Sequence, residues 1–291
     1  MQVAGFTIIR NAIKYDYPVK EAILSVLPVC DRFYVGVGNS EDGTRQLIEA
    51  LQAQHDKIVI LDSVWDDALR TGGTLLAVET NKVFDAIPAE FNWCFYIQSD
   101  ECIHENDYAA IREAMQTHVH DTTADGLLFG YKHFYGLYKY IGVGRRWYSH
   151  EIRIIRNNKS IRSYKDAQGF RKTDGTKLRV KDAHAFIYHY GWVKPPAAQQ
   201  AKQESFHKMW HDDQWMEKHV AKTAEYDYNT IDLLEVYSGS HPKIMQERIE
   251  KANWSFDYDA SRVPRNIKYR FLYFVEKLTG WRIGENRNYR R

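Results

Sequence analysis

The first hundred residues repeat one unit: a short β-rich apolar run, then a stretch with apolar residues at helical spacing. This alternation restricts the fold more than any other feature of the chain. Strand patterns cover 3–9, 32–37, 57–61 and 93–98. Helix patterns cover 19–27, 44–54 and 74–87, the first stopping at Pro28 and the last at Pro88. Such repetition predicts a doubly wound, mostly parallel sheet with helices on both faces. The strands are nearly continuous apolar runs, as befits strands buried from both sides. After Asp100 the pattern changes. A helix is expected over 107–117 and β-like runs over 126–131, 151–156 and 185–190. From Ala197 the chain reads as helical, with breaks near 226–230, 238–242 and 254–264. The expected class is α/β. One domain covers 1–225, with halves 1–108 and 109–225, and a helical, basic extension covers 226–291.

Ligands of an open parallel sheet bind beyond the carboxyl ends of its strands. Three strand ends here carry polar residues: Arg10-Asn11, the run from Gly38 to Thr44, and Gln98-Ser99-Asp100-Glu101. A hard divalent cation takes carboxylate oxygens and keeps substrate phosphates in its shell, so Asp100 and Glu101 are candidates for Mg²⁺ or Mn²⁺. The plainer role for either acid is facing the dipole of the next helix. His189, at the end of a predicted strand and followed by Gly191-Trp192, is a candidate third ligand or a hydrogen-bonded core histidine. For a general base the first candidate is Asp166 in a glycine-containing loop, with Asp182 and the pair Asp212-Asp213 as rivals. His207 and His211 stand four apart on a predicted helix, a spacing that can grip zinc. Lys208 follows His207, so the zinc-protease motif is absent and a solvated helix face is the better reading.

Composition narrows the partners. The formal charge is only +2 over 291 residues, yet nine Lys/Arg and two acidic residues lie between Ser261 and Arg291. The body is therefore net acidic and the tail basic, which points to an anionic surface rather than to nucleic acid. The stretch 266–278 mixes apolar and basic residues. It suits packing, a homodimer contact, or a peripheral position on the inner face of a membrane. Cys30, Cys94 and Cys102 cannot all pair within the chain and read as reduced thiols of a cytoplasmic protein. No charged segment with a long apolar stretch follows Met1, and nowhere are there eighteen consecutive apolar residues. The aromatic share, 14%, supplies rings for stacking on sugars or bases as well as for core packing.

Four segments, in order, resemble family-2 glycosyltransferases. Phe6-Thr7-Ile8-Ile9-Arg10-Asn11 looks like their opening strand. Val35 to Thr44 is similar to their second strand and its Ser-x-Asp-Gly-Thr turn. Thr80-Asn81 falls where that family has an Asn on a helix. Phe95 to Glu101 resembles the Asp-x-Asp region in a Gln-x-Asp-Glu variant. The resemblance implies a GT-A fold, a nucleotide-sugar donor, an inverting transfer, and a glycan, lipid-linked or protein acceptor. It places Arg10, Asn11, Asp42 and Asn81 near the nucleotide, with Ser40 and Ser99 completing that set, and Asp100 near metal and diphosphate. Two positions depart from the pattern. Gly38 replaces an acid that contacts the base, and Gln98 replaces the first Asp, so metal binding would rest on Asp100 with Glu101 or His189. Two other readings stand beside this one. One is a non-catalytic carbohydrate- or nucleotide-binding scaffold on the same fold. The other is a nucleotidyltransferase, weakened by the lack of a glycine-rich phosphate loop after the first strand.

Overall fold

The computed structural model describes residues 1–69, 72–208, 210, 213–219, 223–231, 233–259 and 267–291. The N-terminal part alternates as the sequence predicts: β1 (Val3–Ile9), α1 (Val19–Val26), β2 (Arg32–Gly38), α2 (Thr44–Gln54), β3 (Ile58–Ser63), α3 (Thr74–Ala86) and β4 (Trp93–Tyr96). After it come β5 (Glu101–Ile103), α4 (Tyr108–His118), β6 (Gly126–Tyr135), β7 (Leu137–Gly142), β8 (His150–Arg156), β9 (Ile161–Tyr164), β10 (Gly169–Lys172) and β11 (Leu178–Trp192). The remainder holds α5 (Pro196–Lys208), α6 (Asp213–His219), β12 (Leu234–Val236), α7 (Gln246–Glu250), α8 (Ile267–Thr279) and β13 (Tyr289–Arg290).

The main sheet runs β12-β7-β6-β8-β4-β1-β2-β3. The four strands β3, β2, β1 and β4 are parallel, and β8 enters antiparallel between β4 and β6. Two antiparallel steps return β6 to the direction of β4, and β11 then pairs parallel to β6. The carboxyl ends of β1, β2, β4, β6 and β11 therefore lie along one edge. This is the expected α/β class, with a curled sheet and a C-terminal helix. The stretch expected as a helical, basic extension also contributes strands: β12 joins β7, and β13 joins β11.

Alternation along β1 feeds both faces. Ala4 and Phe6 pack with Val83 and Phe84 of α3, while Val3 and Ile9 pack with Val19 and Ile23 of α1 and Met115 of α4. The Trp93 indole N–H donates to the Met115 carbonyl (3.1 Å), and the Arg156 guanidinium lies 3.9 Å over its ring. Arg156 also donates to the Val119 and Ala124 carbonyls, closing the open end of α4. The hairpin β6–β7 turns at Gly136, whose φ of 68° favours glycine. Cys30, Cys94 and Cys102 are buried and unpaired. Burial pushes the Cys94 thiol up to about 12, so these are inert core groups.

One ion pair is wholly excluded from solvent. Arg153 of β8 donates from Nε and Nη2 to the two oxygens of Glu101 (2.8 and 2.7 Å), and both side chains are 0% exposed. Tyr131 O–H (2.7 Å) and the Gln98 backbone N–H (3.1 Å) also donate to Glu101. Arg153 gives further bonds to the Ile152 and Gln168 carbonyls and lies between the rings of Tyr96 and Tyr131. Removing one partner of such a pair strands a buried charge. Arg153→Met should lower unfolding stability by about 3–5 kcal/mol. A Glu101→Leu/Arg153→Met double variant should recover part of that loss. Urea denaturation with intrinsic fluorescence measures both, and a double variant no more stable than the single would refute the account.

Candidate active site

The carboxyl edge of the sheet opens into a cleft of about 970 Å³. Its floor is built at the end of β4, where successive residues face opposite ways. Glu101 turns into the core toward Arg153, and Asp100 turns into the cleft, 8% exposed. One ion pair holds the Asp100 carboxylate, and an imidazole lies beside it. Lys202 of α5 lies 3.1 Å from Oδ2 and also donates to the Gly191 carbonyl, and His189 Nε2 lies 3.8 Å from Oδ1. Burial alone would raise the Asp100 carboxyl. The Lys202 ammonium overcomes this and holds it well below the ordinary carboxylate range.

The tautomer of His189 follows from its neighbours. His133 Nε2 lies 2.9 Å from the Tyr148 carbonyl, which only accepts, so this nitrogen carries the proton. Burial pushes His133 well below its usual value and His189 adds to that, so His133 is neutral and its Nδ1 is a bare acceptor. His189 Nδ1, 3.2 Å away, must then be the donor. Burial also lowers His189, against the pull of Asp100. Its Nε2 is thus left as a lone pair facing the Asp100 carboxylate. Two acceptors face each other across 3.8 Å.

Gly191 keeps that space clear. A Cβ there would lie 2.6 Å from Asp100 Oδ2 and 2.7 Å from His189 Nε2. A carboxylate oxygen and a neutral imidazole nitrogen meeting over a cradle without a side chain are donor types that suit Mg²⁺ or Mn²⁺. Among the described residues no three His, Cys, Asp or Glu side chains form a metal cluster. A cation here would complete its shell with oxygens of a bound phosphate or water.

The remaining expected residues divide into two groups. Arg10, Asn11, Ser99 and Asp166 line the cleft. Arg10 pairs with Asp67 (2.5 Å) beside the Trp65 ring, and Asp166 is half-buried with no hydrogen-bond partner among the described residues. Ser40, Asp42, Asn81 and Glu101 do not line it. Ser40 accepts from the Asn11 backbone N–H (3.0 Å) and Asp42 from that of Lys14 (2.7 Å), joining the β1 and β2 loops. Asp42 also accepts from the backbone N–H and hydroxyl of Thr44, which start α2, and these bonds hold its carboxyl low against burial. Asn81 clamps α3 to β9 through both backbone groups of Ser163 (2.9 and 3.0 Å). The expectation that Glu101 assists a metal is corrected, because Arg153, Tyr131 and Gln98 occupy its oxygens.

Both departures from the family pattern gain physical reasons. A Cβ at Gly38 would meet the Trp65 indole at 2.5 Å, so the ring takes the space that an acid would need. Gln98 accepts from Arg153 (3.3 Å) and donates to the Ala167 carbonyl (3.3 Å), and a carboxylate could not donate. Of the rival bases, Asp182 caps the turn at His184 and pairs with Arg291, away from the cleft. His207 lines the cleft, whereas His211, Asp212 and the side chain of Asp213 lie outside the described residues. Sequence reasoning missed Trp65, His133 and Lys202. None sits in a motif, and a lone Lys on a polar helix gives no signal.

No family model matches the sequence, and no curated protein matches it. Among solved structures the chain is similar to the crystal structure of S. aureus TarS. The identity is 16% and the TM-score 0.39, over 71% of this chain and 39% of that one. It is also similar to S. aureus TarS 1-349, alone (16% identity, TM-score 0.39) and in complex with UDP (17%, 0.37). Each covers 71% of this chain and 64% of that one. The chain thus spans less than two thirds of the length of each, and likeness at this level bears on neither activity nor ligand.

Proposed function

We infer that this protein is a glycosyltransferase that moves a sugar from a nucleotide-sugar donor to an acceptor hydroxyl with inversion. The observation that carries the reading is the facing pair of Asp100 and His189 over the Gly191 cradle, at the carboxyl edge of a parallel sheet. Asp100 and His189 would hold Mg²⁺ or Mn²⁺, which when bound supplies positive charge to a leaving nucleoside diphosphate. Lys202, already against Asp100, adds a fixed positive charge beside the same place. Trp65 and Arg10 offer a ring and a guanidinium at the β1–β3 side, where a base and its diphosphate would lie. In the transfer, the acceptor oxygen bonds to the anomeric carbon as the bond from that carbon to the phosphate oxygen breaks. The electron pair leaves with the diphosphate, and the acceptor proton passes to the Asp166 carboxylate. Trp147, Trp192 and Tyr226 line the opposite side of the cleft and give apolar faces for sugar rings. A glycan, alone or carried on lipid or protein, is therefore the acceptor class.

Three outcomes test this reading. A panel of nucleoside diphosphates with and without Mn²⁺ should raise the melting temperature for one base class. At ~100 times the dissociation constant the stabilisation is about 2.7 kcal/mol. Asp100→Asn should lose the Mn²⁺-dependent part, and no shift with any nucleotide would sink the donor site. Gly191→Ala, which fills the cradle, should likewise remove the Mn²⁺ dependence, and the unliganded protein should melt lower than wild type because the Cβ displaces Asp100 or His189. A variant whose response to Mn²⁺ is unchanged counts against the cradle. Asp166→Asn should lower kcat by about 10²–10⁴-fold with nucleotide affinity retained. Wild-type turnover in this variant would remove Asp166 as the base.

A further inference from the structure

We propose that α8 seats this protein on an anionic lipid surface, lying in the plane of the headgroups with one apolar stripe buried. Ile267, Phe271, Phe274 and Leu278 recur at intervals of four, three and four residues and so share one narrow face of the helix. They are 81%, 62%, 63% and 74% exposed. Trp281, just beyond the helix, and Val236 of β12 are exposed too. Six exposed large apolar residues fall between 267 and 281, and four of them share this face, while Tyr269 lies on the other side of the helix. The opposite face is anchored to the body. Tyr273 donates to Glu235, and Glu276 pairs with Arg282 (2.9 Å) and Arg145 (3.8 Å). The stripe therefore points away from the protein.

Charge decides the occupant. The positions flanking the stripe are basic on both sides: Lys268 on one and Arg270 on the other, while Lys277 beside Arg270 pairs with Glu235 (2.6 Å). A second copy of the helix laid against the stripe would bring like charges together, whereas pairing helices alternate signs at these positions. The stripe also covers only two heptads, short for a lone coiled coil. Basic flanks around an aromatic-rich stripe are complementary to anionic headgroups over acyl chains. Thirteen residues are too few to span a bilayer. Among the described residues no helix is long and apolar enough to cross a membrane.

The seat is coupled to the cleft. Arg282 donates to the Trp147 (2.7 Å) and Gly144 (3.2 Å) carbonyls, and Trp147 lines the cleft. An acceptor presented from the same lipid surface would arrive beside this segment.

The test is co-sedimentation of the full chain with vesicles of phosphatidylcholine alone and of phosphatidylcholine mixed with phosphatidylglycerol. Binding should require the anionic lipid and weaken as salt rises. Phe271→Asp/Phe274→Asp should reduce it at least tenfold, and Lys268→Glu/Arg270→Glu should do the same. All four side chains are exposed, so unchanged melting temperatures will report intact folds. Nucleotide binding should be unaffected in both variants, which separates this inference from the donor-site reading. No binding to either vesicle, or equal binding by the variants, overturns it. So does a dimer in sedimentation velocity that Phe271→Asp/Phe274→Asp dissociates, because a second copy would then cover the stripe.

Discussion

The buried pairing of Arg153 with Glu101 is the constraint around which the cleft is assembled. Desolvating two charges is expensive, and the pair persists only because both ends are saturated with hydrogen bonds. Those bonds tie together β4 through Gln98, β6 through Tyr131, and the 166–168 loop through the Gln168 carbonyl. Gln98 bridges Arg153 to the Ala167 carbonyl, which fixes Asp166 relative to Asp100. With Glu101 committed inward, strand alternation leaves Asp100 as the acid of this segment that meets the cleft. Two adjacent carboxylates thus take opposite roles, one structural and one at the site.

Asp100 is placed in a field that both halves of the chain supply. β4 brings the carboxylate, β11 the imidazole and the Gly191 cradle, and α5 the ammonium of Lys202. His133 acts at one remove by holding the proton of His189 away from Asp100. Lys194 is fully buried, donates to the Tyr15 carbonyl (2.7 Å), and is pushed well below its usual value by burial first and Lys202 second. The site floor is therefore a preorganised set of charges rather than a surface cluster. An incoming diphosphate would exchange its water for these groups without their having to reorganise.

The N-terminal half was legible because its signals are local. Apolar runs ending in Arg10-Asn11 or Gln98-Ser99-Asp100 give strands and their ends directly, and all seven elements through β4 stand where the periodicity predicts them. Residue type at strand ends and in a loop singled out Asp100, His189 and Asp166, and all three line the cleft. Roles that depend on distant partners were not legible. Nothing around Glu101 announces Arg153, which follows 52 residues later. Asn81 reads as a ligand-facing polar residue until Ser163 is seen against it. β9 and β10 were missed because each is four residues long and pairs with the other in a small separate hairpin, and β7 because it follows β6 directly across the turn at Gly136. β12 is three residues long and reads as part of a break in a helical tail.

The C-terminal segment links surface to site. Glu285 accepts from Ser149, Asn288 from Tyr164, and Arg282 donates to the carbonyls of the 144–147 segment. These bonds fall on the β8 and β9 side of the cleft, where Trp147 and the Asp166 loop stand. The segment after α8 is thus a brace for this wall of the cleft, and the basic residues of the tail serve two ends. Arg282 is consumed internally by Glu276 and Glu285, whereas Lys268 and Arg270 stay exposed beside the apolar stripe. The excess positive charge of the tail is therefore not one uniform patch. Part of it holds the wall in place and part faces outward. Any surface that engages the outward part of α8 is joined to the Trp147 wall of the cleft through Arg282.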